Sequence, residues 1–93
     1  MIYILAPTMQ RALEHVRYDL EPEFERHIAQ REYLVLTPLT YDALRGRRLE
    51  PGDMVIELKG WDIGKAHAAR ESYRHMLALA DLDTRNQIEI RWR

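Results

Sequence analysis

Continuous apolar runs alternate along the chain with segments in which apolar residues recur at helical spacing. The first run is 2–6, and it stops at Pro7 and Thr8. Because it is apolar on both faces, this run is typical of a central strand in a parallel sheet. The next segment changes period at once, and its apolar positions are Met9, Ala12, Leu13, Val16 and Leu20. A strand followed by an amphipathic helix predicts the first half of a βαβ unit.

The first helix is predicted over 8–19, with Thr8 as a favourable N-cap residue. Pro22 is expected to end it, because proline disfavours helical backbone at the residue before it. Proline also suits the first position of a helix, so a short second helix is predicted over 23–30.

The rest of the chain repeats the alternation of strand and helix. The predicted elements are strands over 33–36, 54–58 and 87–92 and helices over 40–45 and 63–81. Pro51 and Gly52 predict a turn before the third strand. In 87–92 the apolar residues alternate with charged ones, which is typical of a half-exposed edge strand.

The order β-α-β-α-β-α-β predicts a single α/β domain over 1–93. We expect a three-layer α/β/α sandwich with a four-stranded, mostly parallel sheet, Rossmann-like or P-loop-like. Edge character in strand four and continuous burial in strand one indicate that these two strands are neighbours. Strands two and three share a short link and are expected to be neighbours as well. The favoured strand order is 2-3-1-4, with 3-2-1-4 as the alternative.

Composition and charge limit the function more than they define it. With 46% hydrophobic and 31% charged residues among 93, the chain is expected to be a soluble globular protein. A net charge of −1 argues against strong non-specific nucleic-acid binding. The absence of cysteine excludes disulfides and thiolate metal sites. The first apolar run is too short for a signal or membrane segment, so we expect a cytoplasmic protein.

In a parallel sheet the default site is the edge where the carboxyl ends of the strands meet. The residues predicted to bind a partner or ligand there are Thr8, Gln10, Arg11, Lys59, Trp61 and Lys65. Thr8 either binds an anion at the helix start or simply caps its own helix. Trp61 either contacts a ligand or partner, by stacking a base or anchoring a protein, or folds over the end of the core. Neither a P-loop nor a G-x-G-x-x-G motif follows strand one, which argues against NTPase and nicotinamide chemistry.

One basic cluster is present and is a candidate nucleic-acid contact: Arg45, Arg47 and Arg48. The alternative is a solvated loop, at the end of the sheet opposite the carboxyl edge or near its side, with Glu50 and Asp53 weakening the field. The four histidines show no metal-ligand spacing and are expected to be solvated. No catalytic residue, metal site or cofactor is identified, because no serine or cysteine nucleophile stands out.

The layout resembles small α/β proteins encoded by bacteriophages of GC-rich actinobacteria. The resemblance is carried by Pro7-Thr8 at the first helix start, by Thr37-Pro38 with Tyr41–Gly46, and by Gly60-Trp61 before a charged helix. These proteins look like P-loop or helicase-type cores without their nucleotide motifs. The resemblance therefore implies no catalytic residue.

We therefore expect a non-enzymatic accessory protein of the phage type, in the host-cell cytoplasm, that binds a host or phage protein. The alternative is a nucleotide- or nucleic-acid-binding α/β domain, as a degenerate enzyme. The unpaired backbone of strand 87–92 also offers a route to a homo-oligomer.

Overall fold

Four short strands form one parallel sheet in the computed structural model, which describes residues 1–40, 47–61 and 67–93. The strands are β1 (Ile2–Leu5), β2 (Tyr33–Leu36), β3 (Met54–Glu57) and β4 (Glu89–Trp92). Every pairing between neighbouring strands is parallel. The predicted α/β class and the positions of the strands are therefore confirmed.

The helices connect these strands and lie between them in the chain. They are α1 (Met9–His15), a π-helical turn (Val16–Leu20), α2 (Glu21–Glu23), α3 (Glu25–Ala29), α4 (His67–Leu79) and α5 (Leu82–Arg85). Most of the helix predicted over 40–45, and the first residues of the helix predicted over 63–81, lie outside the described residues.

The strand order is β2-β1-β3-β4, so the favoured order 2-3-1-4 and its alternative 3-2-1-4 are both wrong. In the centre of the sheet Leu5 is in register with Leu36 on one side and with Glu57 on the other. The link from β2 to β3 thus crosses β1, and closeness along the chain did not mean closeness in the sheet. β1 still occupies an interior position and β4 an edge, as their patterns predicted, but β4 pairs with β3.

Alternate side chains of β1 enter two different apolar clusters, because successive residues of a strand point to opposite faces. On the side of α4 the cluster includes Tyr3, Leu5, Val55, Tyr73 and Met76. On the side of α1 the cluster includes Ile2, Ile4, Ala12, Val16 and Leu20. We call these sides the α4 face and the α1 face of the sheet. Helical residues therefore pack against both faces.

Helix α1 begins where the sequence predicts but its helical path runs further. The Thr8 hydroxyl accepts a hydrogen bond from the Arg11 N–H at 3.1 Å, which confirms the N-cap. Pro22 does not end the helical path, since it lies within α2 behind the wider π-helical turn Val16–Leu20. A proline lacks an N–H and crowds the preceding turn, and a π-helical turn is one way to relieve that crowding. The backbone leaves helical geometry only at Phe24, with φ −125° and ψ 47°.

The helix predicted over 63–81 ends earlier than expected. α4 ends at Leu79, and Asp81 begins α5 by accepting a hydrogen bond on Oδ1 from the Thr84 N–H at 2.7 Å. The segment between α4 and β4, for which no element is predicted, therefore contains a helical turn. Within this helix, Tyr73 and Met76 are buried and pack against the α4 face of the sheet.

The turn predicted before β3 is confirmed and is held by its own polar groups. Gly52 has φ +91°, a left-handed conformation that glycine adopts without steric cost. The Asp53 N–H donates to the Glu50 carbonyl at 3.0 Å. In return the Glu50 N–H donates to Asp53 Oδ2 at 2.9 Å. This turn sets the position at which β3 enters the sheet.

Candidate functional site

The loops that follow β1 and β3 begin side by side at the carboxyl edge of the sheet. The Leu58 N–H donates to the Leu5 carbonyl at 2.8 Å, which extends the pairing past both strands. From β1 the chain goes to β2, and from β3 it goes to β4, in opposite directions along the sheet. The boundary between β1 and β3 is therefore the topological switch point, where ligands of open α/β sheets gather.

The predicted site residues fall on both sides of this boundary. Those that follow β1 are Thr8, Gln10 and Arg11, and those that follow β3 are Lys59 and Trp61. The structure therefore brings these residues to one edge of the sheet. Lys65 lies outside the described residues.

Threonine hydroxyls hold two of the loops at this edge. Thr8 is the N-cap of α1, so the capping interpretation holds for it. After β2, the Thr37 N–H donates to the Thr40 hydroxyl at 2.9 Å, and the two hydroxyl oxygens lie 3.0 Å apart. Both loops are thus ordered by hydrogen bonds made within them.

Trp61 closes the end of the core on the α4 face. Its side chain is only 5% exposed and belongs to the cluster that contains Leu5 and Tyr73. The indole meets the Tyr73 ring edge-on, with centroids 5.7 Å apart and an interplanar angle of 77°. Its Nε1–H donates to Glu57 Oε1 at 3.2 Å. Of the two interpretations given by the sequence, the structure shows Trp61 as a core residue with little surface for a partner.

Glu57 connects Trp61 to Tyr73. The Tyr73 hydroxyl donates to Glu57 Oε2 at 3.4 Å, so both carboxylate oxygens accept from buried aromatic side chains. Burial raises the pKa of Tyr73 well above its usual value of 10, and the neighbouring Glu57 charge raises it further. Tyr73 therefore stays a neutral donor throughout the physiological pH range.

A groove opens at the carboxyl ends of β3 and β4, beside this aromatic pair. Its volume is about 470 Å³, and its lining residues are Glu57, Leu58, Lys59, Gly60, Trp61, Trp92 and Arg93. Trp92 is the exposed wall of the groove, with 70% of its surface accessible. Sequence analysis missed it, because strand alternation placed Trp92 with the apolar half of an edge strand. Its position at the very end of that strand was the one signal in the sequence that could have indicated a site residue.

Helix α1 turns part of its apolar stripe toward solvent. Met9 and Leu13 are 44% and 48% exposed, and they lie four positions apart, on one side of the helix. Tyr18 is 67% exposed, with the Arg17 guanidinium 5.5 Å from its ring centre. A groove of about 560 Å³ runs along this surface and is lined by Gln10, Leu13, Glu14, Arg17 and Tyr18. We call Met9 and these five residues the α1 outer face.

The helical spacing alone could not reveal the α1 outer face. Spacing identifies an apolar stripe but not its width, and here only Ala12, Val16 and Leu20 reach the core. Met9 and Leu13 lie at the outer margin of the stripe. Gln10 is the one predicted site residue that lines this groove.

Arg47 and Arg48 lie at the end of the sheet opposite the carboxyl edge, one of the two positions expected for the basic cluster. Arg47 and Arg48 line a cavity of about 420 Å³ with Met1, Tyr3, Glu50 and Asp53. Burial raises the pKa of Tyr3, the Asp53 charge adds to the rise, and Arg47 opposes it. Acidic groups therefore share this cavity with the arginines, which weakens its attraction for phosphate. Arg45 lies outside the described residues.

His15 contradicts the expectation of solvated histidines, because it is 3% exposed. Its Nδ1 lies 3.0 Å from Asp19 Oδ2. Burial lowers the pKa of His15, and the Asp19 carboxylate only partly opposes this. Across the described parts of the chain, no group of three or more His, Asp or Glu side chains is placed to hold a metal ion.

No protein-family model matches this chain, and comparisons with curated proteins and with solved structures found no match. Function must therefore be argued from the residues themselves. Of the helices within 1–40, 47–61 and 67–93, none has the length and apolar character needed to cross a membrane.

Proposed function

We propose that this chain is a non-enzymatic accessory protein of the bacteriophage type that binds a protein partner in the host-cell cytoplasm. The observation that carries the proposal is the α1 outer face, where Met9, Leu13 and Tyr18 are 44%, 48% and 67% exposed and where Leu13 and Tyr18 line one groove. The phage assignment is supported by the resemblance in sequence described above.

The α1 outer face has the composition of a protein-binding surface. Clustered exposed apolar side chains, rimmed by polar ones, are typical of such surfaces, and tyrosine and arginine are enriched in them. Here Leu13 and Tyr18 supply the apolar part, while Gln10, Glu14 and Arg17 supply the rim. Because the rim carries both charge signs, it favours a partner segment with an apolar centre and mixed charge around it.

The carboxyl edge of the sheet extends this surface. Leu39, in the loop after β2, is 92% exposed, and β2 is the direct neighbour of β1, from which α1 begins. Arg11 and Lys59 add positive charge at the same edge. A partner that covers both α1 and this edge would also contact Arg11 and Lys59, two of the residues predicted from the sequence.

Affinity capture tests the proposal. The tagged chain is incubated with bacterial lysate, captured proteins are identified by mass spectrometry, and the strongest candidate is purified and titrated. Leu13→Glu and Tyr18→Ser should weaken its binding by about tenfold or more, because each removes a central apolar contact. Leu82→Glu is the matched control, since Leu82 is 72% exposed and lies on α5. Equal binding by all three variants, with circular dichroism showing intact folds, would overturn the assignment of this surface.

A second function is favoured by the groove at the ends of β3 and β4. Trp92 offers an exposed ring on which a base can stack, and Lys59 and Arg93 offer positive charge for a phosphate. These features support a nucleotide- or nucleic-acid-binding domain, as a degenerate enzyme. A thermal-shift panel of nucleosides, nucleotides and short single-stranded DNA tests it. Stabilisation that disappears in Trp92→Ala supports this function, and no shift across the panel rejects it.

A further inference from the structure

The outer side of β4 presents backbone groups that no neighbouring strand of the described chain pairs with. The N–H groups of Glu89 and Arg93 donate to the carbonyls of Asp53 and Glu57 at 3.2 and 2.9 Å, toward β3. In a strand the alternate residues point their backbone groups the other way. The backbone groups of Ile88, Ile90 and Trp92 are therefore directed outward. On that side no strand of the described chain pairs with β4.

The sequence of β4 is complementary to itself when read in the opposite direction about Ile90. Antiparallel pairing centred there places Ile90 opposite Ile90, Glu89 opposite Arg91, and Ile88 opposite Trp92. We propose that a second copy of the chain pairs its β4 with this strand in that register. The two four-stranded sheets then become one continuous sheet across a two-fold axis.

The hydrogen-bonding groups agree with this register. Ile90 can exchange both of its backbone bonds with Ile90 of the second copy, as in a hydrogen-bonded antiparallel pair. The Trp92 N–H of each copy can donate to the Ile88 carbonyl of the other. The Ile88 N–H is not needed for this, because it already donates to the Arg85 carbonyl at 3.3 Å.

The exposed Trp92 ring has a matching groove on the second copy. Trp92 and Ile90 are in register with Glu57 and Val55, which places both on the α4 face. An apolar groove of about 330 Å³ lies on the same face and is lined by Arg74, Leu77, Ala78, Arg85, Ile88 and Ile90. Antiparallel pairing brings Trp92 of one copy to Ile88 of the other, at this groove. Two equivalent aromatic contacts then bury a side chain that is 70% exposed in one chain.

Charge selects this register over its neighbours. A shift of two residues in one direction places Glu89 opposite Glu89, and in the other direction Arg91 opposite Arg91. Like charges directly opposite each other destabilise a strand pair. A shift of one residue turns the apolar side chains to the wrong face. In the proposed register Arg91 meets the second copy's Glu89, and it has two N–H groups left after binding Glu23 and its own Glu89.

This interface is separate from the α1 outer face, so the dimer and the protein-binding proposal can each fail without the other; only the nucleotide-binding alternative shares a residue with it, Trp92. Analytical ultracentrifugation of the full chain should show a dimer that dissociates on dilution. Trp92→Ala and Glu89→Arg should weaken it by about tenfold or more, the first by emptying the groove and the second by opposing two arginines. Leu13→Glu, in the α1 outer face, should leave dimerisation unchanged.

Cysteine cross-linking tests the register, because the chain contains no cysteine of its own. Ile90→Cys places two thiols at the two-fold axis, with Cα atoms about 5.5 Å apart, within the range of a disulfide. Mild oxidation should give a covalent dimer. Gln87→Cys is the control, because its two copies would lie about 20 Å apart and should stay monomeric on a denaturing gel.

Three results would overturn the proposal. One is a monomer at concentrations up to about 1 mM. Another is a dimer that Glu89→Arg does not weaken. The third is a dimer that cross-links through Gln87→Cys and not through Ile90→Cys. Glu89 is exposed, so Glu89→Arg gives a decision even if the substitution at half-buried Ile90 prevents folding.

Discussion

Arg91 on the edge strand binds Glu23 on α2 through two parallel hydrogen bonds, from the two terminal guanidinium nitrogens, at 2.9 and 2.8 Å. The same guanidinium lies 5.4 Å from the centre of the Phe24 ring, and its Nε–H donates to Glu89 at 2.7 Å. This contact fastens the last strand to the helical segment that crosses the α1 face. It also fixes the planar cation in place, beside the open edge of the sheet.

The Arg91–Glu23 contact should make stability depend on acid pH. Hydrogen bonds from Arg91 lower the pKa of Glu23 below its usual 4.5. Its contribution to folding is thus present above pH 4.5 and is lost as pH falls through the lower folded-state value. Urea unfolding between about pH 3 and 7 measures this, with Glu23→Gln expected to be less stable than wild type only at the higher pH values. Glu25→Gln, at an exposed neighbour on α3, is the control, and a constant deficit in Glu23→Gln would contradict the explanation.

Trp61 should be essential to stability. Truncating a buried tryptophan leaves a large cavity, so Trp61→Ala should lower the free energy of unfolding by about 3–5 kcal/mol. It also leaves Glu57 without one of its two donors. Tyr18→Ala, which truncates an exposed aromatic ring, should change stability by no more than about 0.5 kcal/mol. Denaturant titration followed by circular dichroism compares them, and equal stability of the two variants would show that Trp61 is not part of the core.

Tyr73 should make the protein sensitive to alkaline pH. Its pKa is raised in the folded state, so its contribution is complete below pH 10 and is lost progressively as pH rises toward the folded-state value. Tyr73→Phe should therefore lose stability less steeply above pH 10 than wild type, although it gives up about 1 kcal/mol from the hydroxyl's bond to Glu57. Thermal unfolding across alkaline pH tests this. Tyr18→Phe is the exposed control, and a Tyr73→Phe profile as steep as wild type would count against the argument.

His15 should weaken the fold in mildly acidic solution. Burial lowers its pKa, while Asp19 raises it and Arg11 and Arg93 add to the lowering. The contribution of His15 to stability is thus complete above its unfolded-state pKa of 6.5. This contribution is lost as pH drops through the lower folded-state pKa. His15→Gln should remove this dependence.

His27→Gln is the matched control for His15, because His27 is exposed on α3. Wild type, His15→Gln and His27→Gln are compared between about pH 7 and 5 in the same unfolding measurement. The prediction is refuted if His15→Gln and wild type lose stability in parallel over that range.

Local signals predicted most elements because they depend on neighbouring residues. The β1 run, the Thr8 cap and the turn at Gly52 each follow from side-chain period or from backbone conformational preference, and each is confirmed. The predicted strand order was wrong, because no residue pattern in the link from β2 to β3 indicates which strand the link must cross. The helix end at Pro22 failed as well, because a π-helical turn accommodated the proline.

For the candidate site, the sequence predicted only where its residues lie in the sheet. That Lys59 follows β3 and Thr8 follows β1 was enough to place both at the carboxyl edge. The exposure of the side chains to solvent could not be predicted. Trp61 is in the core and Trp92 is in solvent, yet each comes from a strand end, and only the packing of Tyr73 against Trp61 separates them.

By itself, therefore, the sequence determined which segments are strands and helices and that β1 is interior. It also determined the self-complementary charges of β4, since these properties belong to residues close together in the chain. The tertiary structure decided the strand order, the burial of Trp61 and His15, and the exposure of Leu13 and Trp92. Those outcomes depend on which surfaces, far apart in the chain, come into contact. A pattern of apolar positions indicates which surface is buried but not which other surface packs against it.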